Sequence, residues 1–163
     1  MRLVLLLIVF ALVAAAAAET EAQASWQGRS IYFVVTDRFA RNKGKDQSPC
    51  GGRPWCGGTF NGIVDKLEYI QGMGFDAIWI TPVVKQVPWL DHYNGTGYHG
   101  YWAANFSEID PHLGTANELK RLSYALHSRG MLLMVDVVAN HVVGCERSES
   151  FTRGTHKSQQ KSN

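Results

Sequence analysis

Two short stretches carry the residue types best suited to chemistry. Tyr98-His99-Gly100-Tyr101-Trp102 gathers three aromatic rings and an imidazole, and Asp136-Val-Val-Ala-Asn140-His141 sets a carboxylate, an amide and a second imidazole close together. An imidazole can hydrogen-bond, move a proton or bind a metal. Aromatic faces stack on apolar surfaces while their edges stay wet. Taken alone, Tyr101 and Trp102 serve equally well as loop packing, His99 as a solvated loop residue and Asn140 as the cap of a turn. Asp65 and Glu68 fall on the outer face of a helical stretch and read as solvated charges, not as an acid–base pair.

The cysteines and the N-terminus address the compartment. Cys50 and Cys56 flank a Gly-Gly-Arg-Pro-Trp loop, and a disulfide closing it is the natural expectation under oxidising conditions. Their spacing is not the C-x2-C of a zinc site, and no His-x-His cluster lies nearby. Cys145, the third cysteine, is left over, which implies a missing partner, an intermolecular bond or an altered sequence. Asn94-Gly95-Thr96 and Asn105-Phe106-Ser107 are glycosylation sequons at Asn94 and Asn105. Met1-Arg2, the apolar run Leu3 to Val13 and the small residues Ala14 to Ala18 follow the order of a secretory signal peptide, with cleavage after Ala18 or Ala24. That run falls short of the about 20 residues a membrane-spanning helix needs. The expectation is a secreted, extracellular chain with no membrane anchor. A formal net charge of +2, with no Lys/Arg cluster interleaved with aromatics, argues against nucleic acid as a partner.

The elements that must position these residues alternate. Ser30 to Thr36, Ala77 to Thr81 and Met131 to Val138 are apolar, β-branched runs without polar alternation, as suits strands buried on both faces of a parallel sheet. Ile63, Val64, Leu67, Ile70 and Met73 recur at helical spacing, and Gly72 and Gly74 end that helix. Thr115-Ala-Asn-Glu118 is a capping box opening a second helix with Leu119, Leu122 and Leu126 on its buried stripe, closed by Gly130. A long loop runs from about Val83 to Leu113. Strand, helix, strand, helix, strand without hairpin signals argues for parallel βαβ units. Residues 144–163 are polar, lack any stripe or strand run, and read as disordered.

Five segments in order resemble the beginning of fungal-type α-amylases of glycoside hydrolase family 13. They are Ser30-Ile-Tyr-Phe-Val-Val-Thr-Asp-Arg-Phe39, Gly57-Gly-Thr-Phe-Asn-Gly-Ile-Val-Asp-Lys-Leu67, Gln71-Gly-Met-Gly-Phe-Asp-Ala-Ile-Trp-Ile-Thr-Pro82, Tyr98-His-Gly-Tyr-Trp102 and Asp136-Val-Val-Ala-Asn-His141. The resemblance implies an α/β fold in which residues 25–143 form about three βα units, the N-terminal part of a (β/α)8 TIM barrel, with a site at the C-terminal ends of the strands. It further implies that Tyr101 stacks on a glucose ring and that His99 hydrogen-bonds the same sugar. By the same resemblance Trp102 lines the cleft, His141 contacts the sugar at the point of cleavage, and Asn140 offers an oxygen to a structural calcium. Asp136 would support the site without acting as nucleophile.

The activity so implied is hydrolysis of internal α-1,4-glucosidic bonds in starch and related glucans by a protein that is monomeric when complete. The family's nucleophile, acid/base and further Asp follow strands four, five and seven. No residue of this chain, Glu146 and Glu149 included, stands in such a motif, so no catalytic residue is assigned. One ligand at Asn140 is too few for calcium. The chain alone is expected to be inactive, and to be poorly soluble or partly unfolded because three strands of a barrel leave two edges and one apolar face open. The alternatives are a non-catalytic α-glucan-binding remnant and a non-functional truncated product. Within the enzyme reading, α-glucosidase and glucanotransferase specificities stay open.

Overall fold

A computed structural model of the chain describes residues 26–45, 49–89 and 94–143. The signal segment (1–24), the 144–163 tail and Cys145 lie outside the described residues. The elements in order are β1 (Ile31–Val34), α1 (Thr36–Phe39), α2 (Phe60–Asp65), α3 (Leu67–Gly72), β2 (Ala77–Ile80), β3 (Val84–Gln86), β4 (Ala103–Ile109), α4 (Ala116–His127) and β5 (Leu132–Val135).

The three apolar runs form the expected parallel sheet, in the order β1-β2-β5. Phe33 stands beside Trp79 and Trp79 beside Met134, with no shift of register along either pair. Val34, Ile78 and Ile80 turn to the helix side of the sheet. There they meet Phe60 and Ile63 of α2, Leu67 and Ile70 of α3, and Leu122 and Leu126 of α4, all buried. Each such side chain contributes about 1.5–3 kcal/mol by leaving water, so this layer is what holds the sheet to its helices. The capping box of α4 forms in full: Thr115 Oγ1 accepts from the Glu118 amide, and a Glu118 carboxylate oxygen accepts from the Thr115 amide at 2.7 Å.

Three expectations change. The strands are covered on one face only, for Ile31 and Phe33 are 40% and 46% exposed. Helices pack on the Val34 side, and Ile31, Phe33 and Trp79 stay exposed on the other. The single helix expected over 63–73 starts earlier, at Phe60, where Thr59 caps it, and breaks at Lys66. With φ −112° and ψ 8°, Lys66 leaves the α region while its amide donates back to Ile63. Ile63, Leu67 and Ile70 stay on the buried face across that break. The loop expected from Val83 to Leu113 contains the antiparallel pair β3–β4, with Lys85 Nζ 2.7 Å from Glu108 across it. Three residues in β3 and an irregular register give too short a stretch for a period-2 pattern to show.

Candidate functional site

Parallel strands all point their C-terminal ends to the same edge of the sheet, and the expected site residues gather there. The residues following β1 (Asp37, Arg38), those following β2 and those following β5 (Asp136 to His141) meet along it. His99, Tyr101 and Trp102 form one cluster. The His99 and Tyr101 rings lie near parallel, 5.8 Å between centres and 15° apart, and Trp102 meets His99 edge-on at 4.6 Å. The Tyr101 amide donates to His99 Nδ1 at 3.0 Å, so in the neutral ring the proton sits on Nε2. Burial, followed by the nearby Arg38 charge, holds the His99 pKa below the ordinary histidine value. Arg53, Gly95, Thr96, Tyr98, His99 and Trp102 border a pocket of about 290 Å³.

Tyr101 ties this cluster to β5. Its hydroxyl donates to Asp136 Oδ2 at 2.7 Å, and burial, this hydrogen bond and the Asp136 charge together raise the phenol pKa to about 12. His141 Nε2 lies 3.0 Å from the Tyr101 carbonyl oxygen, so His141 joins the same cluster from the far side. Asp136 therefore holds the Tyr101 side chain to the end of β5.

Asn140 is exposed. Among the described residues no group of three or more His, Cys, Asp or Glu side chains is arranged to hold a metal. Asn140 would supply one of the six to eight oxygens that calcium takes. Cys50 and Cys56 are bonded, with Cα atoms 5.7 Å apart. At the sequons, Asn94 is exposed at a loop tip while Thr96 is buried and donates to the Arg53 carbonyl at 2.9 Å. Asn105 is engaged on both sides of its amide, donating to Glu108 at 2.8 Å and accepting from the Ser107 amide at 2.9 Å.

Sequence reasoning missed the residues that hold these loops. Asp37, 1% exposed, accepts from the Cys56 and Gly57 amides at 2.9–3.0 Å. Arg38 donates to the Gly52 and Pro54 carbonyls and lies over the Tyr98 ring at 3.5 Å, and its Nε forms an ion pair with Asp37 at 3.0 Å without hydrogen-bond alignment. The disulfide loop is thus fastened to the aromatic loop through one guanidinium. Asp37-Arg38 stands inside the first of the five segments, and its position just past an apolar run was the available signal. Gln86 accepts from the Trp102 amide at 2.7 Å and carried no signal at all.

A profile described as the α-amylase catalytic domain matches residues 33–163. The chain belongs to the α-amylase family. It is 58% identical over 118 residues to an α-amylase of Schwanniomyces occidentalis, covering 71% of this chain and 23% of that one. Among solved structures it resembles an α-amylase of Malbranchea cinnamomea at 50% identity and a TM-score of 0.67, covering 73% of this chain and 25% of the other. A Geobacillus thermoleovorans α-amylase, solved with acarbose, is 42% identical with a TM-score of 0.61 over 72% of this chain and 24% of its own. The chain thus spans about a quarter of the relatives it matches, and its parallel strands form an open part of their fold.

Proposed function

We propose that this chain forms one wall of the glucan cleft of an α-amylase-type glycosidase, the whole protein hydrolysing internal α-1,4-glucosidic bonds of starch. The observation that carries this reading is the ring cluster of His99, Tyr101 and Trp102 at the C-terminal edge of the sheet, anchored to β5 through Asp136. The C–H face of a pyranose suits an aromatic face, and its hydroxyls suit the nitrogens of His99 and His141. The phenol, held neutral by burial and by Asp136, offers its ring without charge.

Retaining hydrolysis needs two carboxyl groups about 5 Å apart, one to attack and one to give and take a proton. Asp136 is committed to the Tyr101 hydroxyl, and Asp37 to the Cys56 and Gly57 amides. The described residues are accordingly given the tasks of binding and orienting sugar, and the carboxyl pair is assigned to the rest of the whole protein, beyond this chain. The same occupancy favours a second reading, in which this chain binds α-glucan without cutting it. Secretion accords with the Leu3 to Val13 run and with the disulfide. No described helix is long and apolar enough to cross a membrane.

The test is retention of the chain on starch beads and quenching of its tryptophan fluorescence by maltoheptaose, alongside an assay for released reducing sugar. Binding that Tyr101→Ala abolishes, with no sugar released, supports the wall. Equal binding by Tyr101→Ala removes the ring cluster from the site, and sugar release by this chain alone overturns the assignment of the carboxyl pair.

A further inference from the structure

Joined to the ring cluster at the Trp102 amide is a polar chain that has no place in the binding role proposed above. Gln86 and Asp110 are 4% and 1% exposed, so both are cut off from water and must find partners within the protein. The Asp110 carboxylate divides its two oxygens between strand β3 and the turn at His112. Oδ2 accepts from the Gln86 amide at 2.9 Å. Oδ1 accepts from the His112 amide at 2.9 Å and lies 2.8 Å from His112 Nδ1. The His112 ring in turn stacks on Trp55 of the disulfide loop, 4.1 Å between centres and 2° from parallel.

Gln86 passes this anchorage upward. Its Nε2 donates to the Val84 carbonyl at 2.7 Å, which fixes the amide so that Oε1 faces the aromatic loop and accepts from the Trp102 amide at 2.7 Å. The loop also rests directly on this side chain. A Cβ added at Gly97 would stand 2.6 Å from the Gln86 Cβ, closer than such atoms ever approach, so the backbone can lie this low only without a side chain.

We propose that Asp110 and Gln86 form a strut that sets the height and tilt of the 97–102 loop, and that both are positioning residues for glucan binding. The inference rests on the binding role proposed above. Stacking and hydrogen bonding to a sugar depend on where the Trp102 and His99 rings stand, and the strut fixes the backbone that carries them. Asp110 holds the disulfide loop on the same anchor, so the two walls bordering the 290 Å³ pocket move together.

The experiment is amide hydrogen exchange of Trp102, read by mass spectrometry in the full chain, together with maltoheptaose titration of the same samples. In the unaltered chain the Trp102 amide exchanges slowly. Gln86→Met keeps the bulk and removes the acceptor. It speeds that exchange and weakens maltoheptaose binding by about tenfold, the loss of one hydrogen bond's worth of positioning. Gln86→Glu, which restores an acceptor, recovers part of both. A Trp102 amide that exchanges in the unaltered chain as fast as that of exposed His141 overturns the strut without any variant. Faster exchange in Gln86→Met with unchanged affinity, while Tyr101→Ala still loses binding, overturns the positioning role and leaves the binding wall standing. Absence of maltoheptaose binding in the unaltered chain overturns the glucan reading itself, and exchange then decides the strut alone.

Discussion

Tyr101 has two tasks, presenting a ring to the cleft and tying that ring to β5 through its hydroxyl. Tyr101→Phe keeps the first and removes the second, leaving the Asp136 carboxylate short of a donor at a cost of about 1–3 kcal/mol. The expected result is a lower melting temperature by calorimetry with the ring contacts retained. The phenol also sets an alkaline limit. Its folded-state pKa of about 12 lies above the ordinary 10, so its contribution is full below pH 10 and is lost as pH rises through 12. Absorbance titration of tyrosinate should show a late-titrating component that is lost in Tyr101→Phe. His99 works in the opposite sense. Its folded-state pKa is depressed by burial and by Arg38, so the unfolded chain takes up a proton first on acidification. Stability is then full above about pH 6.5 and falls as pH drops from there through the folded-state value. Melting temperature measured against pH should show that fall, and His99→Gln should flatten it.

At the scale of elements, α4 was the most legible in the sequence, because its start is written in local hydrogen-bonding groups. Thr115→Ala removes the cap and should cost about 0.5–2 kcal/mol, read as a drop in melting temperature without change in the position of Leu122 or Leu126. The three parallel strands were legible for a related reason, since their apolar runs are continuous. Where the signal failed, the cause differs in each case. The break at Lys66 leaves the Ile63-Leu67-Ile70 stripe on one face, so periodicity reads straight across it. The β3–β4 pair is too short and irregular for alternation. At the site, the rings and His141 carried their own chemical signature, whereas Arg38, Gln86 and Asp110 act through contacts between loops distant in sequence. No spacing rule encodes a guanidinium that reaches two carbonyls and a ring at once.

For the molecule as a whole, the face of the sheet opposite the helices decides behaviour in solution. Ile31, Phe33 and Trp79 lie together on it, with the Phe33 and Trp79 rings 4.8 Å apart. An apolar surface of this kind recruits other apolar surfaces. The chain is expected to enhance the fluorescence of a hydrophobic dye and to grow in apparent size with concentration on gel filtration, and Phe33→Glu should reduce both. Unchanged dye binding in that variant would place the sticky surface elsewhere. The order β1-β2-β5 has a further consequence, in time. Each parallel strand seats beside the one made immediately before it, with a helical layer made in between. Synthesis at about 5–20 residues per second separates the appearance of successive strands by seconds, while local pairing takes far less. When β2 emerges, β1 is the only parallel partner yet made among the described residues, and when β5 emerges, one edge of β2 is already taken. The ribosome's own pace thus removes the mispairings that a chain refolding from denaturant would have to search through.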